Sequence, residues 1–324
     1  MVRVLSDAAV ADCLDLAALL SVVREALVKQ GRGEVERPER PHFPVGAGLD
    51  GPDPHGTGLV MPAYVHGADF YATKLVGVHE GNPERGLPTV NAQIALTEAA
   101  TGLPAAYMAG TGITNARTGC LGGLAAAELA TGPVTLGLLG AGTQARWQAR
   151  AIAAATDLES VRVYSPSDSK VACADDLRAE LDVPADAVES PEEAVSGANV
   201  VVTATTATEP VFPGEALDPG AAVVAVGAYT AEMREVDAAT FERASRVFAD
   251  VPEEVAGIGD VLEADVAEGD LIPFADVLAG RAGRETDAEI LVVESVGTAV
   301  LDAAAAERVF EAARVADVGT EIEL

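Results

Sequence analysis

The spacing of apolar residues changes character along the chain. Over residues 14–30 they recur at Leu16, Leu19, Leu20, Val23 and Leu27, a helical period. Short apolar runs bounded by turn residues follow, predicting strands over 59–64, 69–78, 90–97 and 104–109, with a turn over 98–102. The stretch 37–58 holds five prolines and five glycines and reads as an ordered loop. A linking helix is predicted over 113–130. From Pro133 the pattern becomes β-α-β, with strands over 134–139, 160–164, 199–204, 222–227, 246–250 and 290–293, and helices such as 143–155 and 168–181. Runs such as Val200-Val201-Val202 lack alternation, as strands buried on both faces of a parallel sheet do. An Ala-rich helix over 298–317 is expected to return to the first part of the chain.

The expected fold class is therefore α/β: a Rossmann-type doubly wound parallel sheet, residues 118–297, inserted in an α+β domain of residues 1–117 plus 298–324. At its start, Leu136 to Leu139 leads into Gly140-Ala141-Gly142-Thr143-Gln144-Ala145, a Gly-x-Gly-x-x-Ala turn between strand and helix. Gly140 permits the tight turn, Gly142 lets backbone approach a pyrophosphate, and Ala145 lets the helix pack on the strand. The second strand should end beside the adenosine ribose, where an NAD enzyme usually has an acid. Here Ser165-Pro166-Ser167 follows, with Asp168 next, so NAD and NADP both stay open.

Charge narrows the class of partner. Of 324 residues, 21 are Lys or Arg and 51 Asp or Glu, for a net charge of -30, and only Lys29, Lys74 and Lys170 are lysines. Such a field opposes nucleic acid and anionic membrane. Hydrophobic content of 49% speaks against disorder. A surface so rich in carboxylates and poor in lysine suits a cytosol with molar salt, as in haloarchaea, where the screening length falls to about 3 Å. The three cysteines, Cys13, Cys120 and Cys173, have no metal spacing and read as reduced thiols, and no secretion or membrane-spanning segment is recognised. A cytoplasmic enzyme without a metal is expected.

Candidate chemistry centres on Lys74, in the largely apolar run Phe70 to His79. A partly buried ammonium needs an anionic partner or a lowered pKa, which a substrate carboxylate or an acid–base role would supply; the alternative is a lysine snorkelling at a strand edge. Arg117, at the start of the linking helix, and Arg40, in the loop, have the fork geometry for a carboxylate or phosphate, or form surface ion pairs. Among the histidines only His79, five residues after Lys74, is a site candidate.

With these residues stand Met61-Pro62, Gly86-Leu87-Pro88-Thr89-Val90, Thr101-Gly102, Ile113 to Thr118, Val202-Thr203-Ala204-Thr205, Ala225-Val226-Gly227-Ala228 and Glu294-Ser295-Val296-Gly297. In this order, with the glycine turn, they make the chain resemble the ornithine cyclodeaminase/mu-crystallin family over nearly its whole length. The resemblance implies a first domain that, with the C-terminal helix, binds substrate and forms a homodimer. It implies that Arg40, Lys74 and Arg117 hold a substrate carboxylate, with Met61, His79, Thr89 and Tyr229 adjacent. Thr118, Gly142, Thr143 and Gln144 would lie along the pyrophosphate, Gly140 and Ser165 would bound the adenosine half, and Thr203, Val226, Gly227, Val296 and Gly297 would surround the nicotinamide. Two departures stand out. Tyr229 occupies the place of the cyclodeaminase aspartate base, and Glu294 that of the usual aspartate before Ser-Val-Gly.

The expected activity is NAD(P)-dependent hydride transfer at the α-carbon of an amino acid or its imine, as in alanine dehydrogenase or a cyclic ketimine (pyrroline-2-carboxylate) reductase. The alternatives are ornithine cyclodeamination to proline and ammonia, which Tyr229 disfavours, and a non-catalytic NADPH-binding protein like mu-crystallin, which Lys74, Arg40 and Arg117 disfavour. The charge itself carries a test. A melting curve recorded without KCl is expected to show loss of structure that molar KCl restores, and an unchanged curve contradicts the salt reading.

Overall fold

The computed structural model describes residues 1–323. The chain opens with strand β1 (Val2–Leu5) and helices α1 (Asp7–Cys13) and α2 (Leu16–Gly31). It continues through β2 (Val35–Glu36), β3 (His42–Val45), β4 (Gly56–Val65), β5 (Phe70–Val78), β6 (Val90–Glu98) and β7 (Pro104–Ala109) to α3 (Thr111–Leu129). There follow β8 (Val134–Leu139), α4 (Thr143–Ala155), β9 (Leu158–Tyr164), α5 (Ser169–Leu181), β10 (Ala185–Ala187), α6 (Pro191–Val195), β11 (Val200–Thr203) and β12 (Ala222–Ala225). Then come α7 (Ala238–Arg243), β13 (Ala244–Ala249), α8 (Pro252–Val255), α9 (Gly259–Glu263), β14 (Leu271–Pro273), α10 (Phe274–Leu278) and β15 (Ile290–Glu294). The chain closes with α11 (Ala299–Ala316) and β16 (Thr320–Ile322). It divides into two compact units, Met1–Arg117 with Ala299–Leu324, and Thr118–Thr298.

The first unit is a mixed sheet in the order β16-β1-β7-β6-β5-β4-β2, with β3 also paired to β4. Its register puts Met61, Lys74, Ile94, Met108 and Leu5 in one cross-strand row, on the face that α2 and α11 cover. Phe70 meets Phe310 of α11 edge to face, ring centroids 5.3 Å apart. Arg3 ties the ends together: its guanidinium donates to the Ala313 and Val318 carbonyls and to Asp317 and Glu321, closing the C-terminal end of α11. The opposite face has rows Glu36–Tyr64–Tyr71–Thr97, Pro62–Thr73–Ala95–Tyr107, Val60–Leu75–Gln93–Ala109 and Gly58–Gly77–Asn91, with Glu36 at the β2 edge the one charged residue in them.

The second unit is an all-parallel sheet in the order β10-β9-β8-β11-β12-β15-β13-β14. Counted from β8 its order is 3-2-1-4-5-8-6-7: the first five strands follow the order of a dinucleotide fold, with the crossover between β8 and β11, and β15, last in the chain, takes the place beside β12 that the sixth strand usually holds. Leu136, Leu138, Val200, Val201, Val202, Val223, Val224, Leu291, Val292 and Val293 are wholly buried, as the unbroken apolar runs require.

Three expectations need correction. The Pro/Gly-rich stretch is not all loop: His42 to Val45 pairs antiparallel with Leu59 to Gly56, because β4 begins three residues before the predicted strand. The strand expected over 222–227 ends at Ala225, so Val226 and Gly227 belong to the turn after it. Strands β1 and β16, too short to show a period, form by pairing: β1 lies between β7 and β16, and β16 is the edge.

Candidate active site

In the first unit Lys74 has an anionic partner inside the chain, which its sequence context did not reveal. Its Nζ donates to Asp302 Oδ2 at 2.6 Å, and Arg117 Nε donates to Asp302 Oδ1 at 3.0 Å. Thr114 Oγ1 completes the cluster, donating to Asp302 Oδ1 at 3.3 Å. All three charged groups are nearly solvent-free, Lys74 2%, Arg117 4% and Asp302 1% exposed. The elements explain the convergence. Lys74 is on the inner face of β5, Arg117 two turns into α3, and Asp302 one turn into α11. Asp302 sits in the stripe Ala299, Asp302, Ala306, Val309 of α11, which otherwise packs apolar residues on the sheet. That lone acid in an apolar stripe was the signal available in the sequence.

Burial pulls the Lys74 ammonium down to about 8; Asp302 opposes the shift, and Arg117 and Arg40 add to it. At Asp302 burial disfavours the charge, but Arg117 and then Lys74 outweigh it, holding the carboxyl below its ordinary value. Two cations thus share one carboxylate, leaving surplus positive charge, and Arg40 bears on Lys74. Met61 is buried directly across the strand from Lys74. His79 is not brought to the cluster: it lies beyond β5 with its ring against Gly56 and Gly77, on the opposite face. The Thr89 carbonyl accepts the His79 N–H at 2.9 Å.

In the second unit the glycine turn has the form expected for a dinucleotide. Gly140 has φ +114°, and a Cβ there would lie 2.6 Å from the Ala204 carbonyl oxygen. A Cβ on Gly142 would meet nothing within 4 Å, so the space above that turn is open. Gly142 caps α4 without any side-chain bond to its first N–H groups, and Gln144 Nε2 is buried with no partner. An open cradle, uncapped helix N–H groups and an orphaned donor fit a pyrophosphate. Thr118, on α3, is linked to α4 through Gln148, whose Nε2 donates to its carbonyl at 3.0 Å. At the end of β9, Ser165 is 9% exposed and its hydroxyl lies 3.4 Å from those of both Ser167 and Ser169; Asp168 is exposed. Hydroxyls suit either a ribose 2'-OH or a 2'-phosphate.

The strand ends on the other half of the sheet carry the remaining candidates. Thr203 Oγ1 and the Gly227 N–H donate to Glu235, and the Val296 and Gly297 N–H groups donate to Asp250. Neither acid was singled out in the sequence. Tyr229 is 39% exposed on the turn after β12. Among the described residues no cluster of His, Cys, Asp and Glu could hold a metal ion, and no helix is long and apolar enough to cross a membrane.

Comparison with known proteins adds three findings. The profile of the ornithine cyclodeaminase/mu-crystallin family matches residues 2–317. A Delta(1)-pyrroline-2-carboxylate reductase of Bacillus cereus is 33% identical over 294 residues, 88% of this chain and 90% of that one. Two solved structures superpose closely. The Thermococcus litoralis Delta(1)-pyrroline-2-carboxylate reductase in complex with NADH and L-proline has a TM-score of 0.93 at 31% identity, over 99% of this chain and 100% of that one. An archaeal alanine dehydrogenase dimer with bound NAD has 0.90 at 29% identity, over 100% and 99%.

The buried cluster makes a direct prediction. Asp302→Ala leaves two buried cations without their counter-charge and is expected to cost about 3–5 kcal/mol. Chemical denaturation in molar KCl checks it, and a loss below about 1 kcal/mol, the range of an exposed pair, contradicts the geometry.

Proposed function

The chain belongs to the ornithine cyclodeaminase/mu-crystallin family, and from that premise we propose that it is an NAD(P)-dependent reductase of an α-imino acid. The observation that carries this reading is the buried Lys74–Asp302–Arg117 cluster with its surplus positive charge. An α-imino acid brings one carboxylate next to the carbon to be reduced. Arg117, Arg40 and Lys74 hold that carboxylate, with Asp302 keeping Lys74 Nζ and the guanidinium aimed, so the imine carbon is fixed in position. Gly140, Gly142, Thr143, Gln144, Thr118 and Ser165 hold the pyrophosphate and adenosine parts of the dinucleotide, and Thr203, Val226, Gly227, Val296 and Gly297 its nicotinamide. The nicotinamide, when bound, supplies a hydride. Reduction also needs a proton at the imine nitrogen, and the Lys74 ammonium is the donor that delivers it.

Tyr229 bears on the substrate. Making an imine from a keto acid and ammonia requires acid–base steps at the carbon before reduction, whereas a cyclic imine arrives complete. A tyrosine, ordinarily titrating near 10, is a poor base for the former. A five-membered ketimine such as pyrroline-2-carboxylate is therefore the first substrate, with pyruvate plus ammonia the second; the names of the relatives above support both.

The test is nicotinamide absorbance in molar KCl with pyrroline-2-carboxylate, pyruvate plus ammonia, or L-ornithine, against NADH and NADPH (NAD for ornithine). Substrate-dependent oxidation is expected with the ketimine. Proline from ornithine without net cofactor change contradicts the proposal. Lys74→Ala is expected to lower turnover by at least ~100-fold while NAD(P)H still binds, and near-normal activity removes Lys74 from the mechanism. The sign of the pH dependence follows from the same group. The donating ammonium is present below about 8 and lost above it, so kcat/KM for imine reduction should fall as pH rises through that value. A rate still climbing at pH 9 contradicts a proton-donor role.

We also propose a homodimer in a salt-rich cytoplasm, formed through the charge-poor face of the first unit's sheet. Two copies of net charge -30 repel wherever their acids meet, and this face offers Tyr71, Leu75 and Tyr107, 38%, 42% and 44% exposed, with Glu36 at the β2 edge the one charged residue in its rows. Light scattering in molar KCl should give twice the chain mass for the wild type and the single mass for Leu75→Glu/Tyr107→Glu. A variant that stays dimeric contradicts this face.

A further inference from the structure

Four acids of the second unit are almost fully buried: Glu235 at 0%, Asp250 at 3%, and Asp260 and Glu294 at 1% exposed. Glu294 ends β15, Asp250 directly follows β13, Asp260 lies in α9, and Glu235 follows the turn after β12. Burying a carboxylate costs several kcal/mol unless it is neutral or well bonded. Two of these are bonded to a particular set of donors. Glu235 Oε1 accepts the Thr205 N–H at 2.6 Å and its hydroxyl at 2.7 Å, and Oε2 accepts the Gly227 N–H at 2.8 Å and the Thr203 hydroxyl at 2.9 Å. Asp250 Oδ2 accepts the Ser295 hydroxyl at 2.7 Å and the Gly297 N–H at 2.9 Å, and Oδ1 accepts the Val296 N–H at 3.2 Å. Every donor is the last residue of β11 or lies on the turns following β11, β12 and β15.

The other two acids support these. Asp260 Oδ1 accepts the N–H groups of Glu235 and Val236 at 2.7 and 2.8 Å, holding the backbone that carries the Glu235 side chain. Glu294 has an oxygen with no partner among the described residues. Burial, then Asp260, Glu235 and Asp250, push its pKa well above its ordinary value, which favours its neutral form. Packing is close: a Cβ on Gly227 would lie 2.3 Å from the Thr205 carbonyl oxygen and 2.5 Å from Glu235 Oε1. Gly297 has φ +75°, a left-handed conformation in which its N–H reaches Asp250.

In a dinucleotide fold the strands on one side of the crossover bind one mononucleotide and those on the other side the second, outside their carboxyl ends. Here the strands beyond the crossover are β11, β12 and, beside them, β15, and the adenosine half belongs to β8 and β9. Resting on the NAD(P) reading above, we propose that Glu235 and Asp250 are positioning residues for the nicotinamide half of the cofactor. Each carboxylate staples the strand-end turns on which that ring lies, and neither acts on the adenosine half.

Each oxygen of both acids receives a backbone N–H, so an amide in place of the carboxylate sets an NH2 against an N–H while keeping the shape. Glu235→Gln and Asp250→Asn are therefore the variants. NADH and NADPH affinities by fluorescence titration, and ADP-ribose affinity by calorimetry, are measured on the full chain in molar KCl. The expected result is at least a tenfold loss of NAD(P)H affinity with ADP-ribose binding unchanged within twofold. Unchanged NAD(P)H affinity overturns the proposal, and so does a parallel loss of both ligands, which marks a merely structural role. A wild type that binds ADP-ribose, NADH and NADPH all undetectably overturns the cofactor reading itself, a failure distinct from either. Should the amide variants not fold, Ser295→Ala removes only the hydroxyl donor to Asp250. It should give a selective NAD(P)H loss of about threefold, and no loss overturns the Asp250 staple.

Discussion

One aspartate holds two cations in a place from which water is excluded, and the first unit is organised around that contact. Asp302 binds Lys74 at 2.6 Å and Arg117 at 3.0 Å where the flanking positions in the sheet row are Met61, Ile94 and Met108. Replacing such a buried pair by apolar side chains of similar size is often neutral or stabilising. Stability is therefore a weak reason for its presence, and function the stronger one. The cluster keeps two long, flexible side chains ordered before any ligand arrives, which lowers the entropy lost on binding. It also brings the Lys74 ammonium down to about 8, because burial and the neighbouring arginines outweigh the aspartate.

The second unit solves the opposite problem. It must order polar backbone at the carboxyl edge of a buried sheet, and it does so with acids. Glu235 and Asp250 accept N–H groups that the turns after β11, β12 and β15 would otherwise leave unpaired. Four carboxylates in that space are tolerable because they are not all charged. Burial lifts Glu235 to about 7 against its hydrogen bonds, and burial with the neighbouring acids lifts Glu294 well above its ordinary value. In a chain dominated by surface acids, these interior ones serve more as hydrogen-bond acceptors than as charges.

The long elements were legible in the sequence because each carried its own signal. The helical period of α2, the apolar runs of β8, β11, β12 and β15, and the glycine turn at Gly140 can each be read locally. Lys74 and Arg117 stood out as charges in apolar or turn contexts. What escaped was pairing. Asp302 lies 228 residues from Lys74, and its only local mark is a charged residue in an apolar stripe. Glu235 and Asp250 sit in short connecting segments with no period, and their role depends on turns 8 to 47 residues away. The short strands β1 and β16 escaped for the same reason. The closeness of His79 to Lys74 in sequence misled, because a strand places residues five apart on opposite faces.

The central claim is that the chain moves a hydride to the carbon beside a carboxylate held by Lys74 and Arg117. It is tested most directly by supplying NADH and NADPH deuterated at nicotinamide C4, together with pyrroline-2-carboxylate, and examining the proline formed by mass spectrometry and NMR. The account predicts one deuterium, bonded to the carbon that bears the carboxylate, and one equivalent of cofactor oxidised per proline. Proline free of deuterium, or no proline while the dinucleotide is bound, would contradict it.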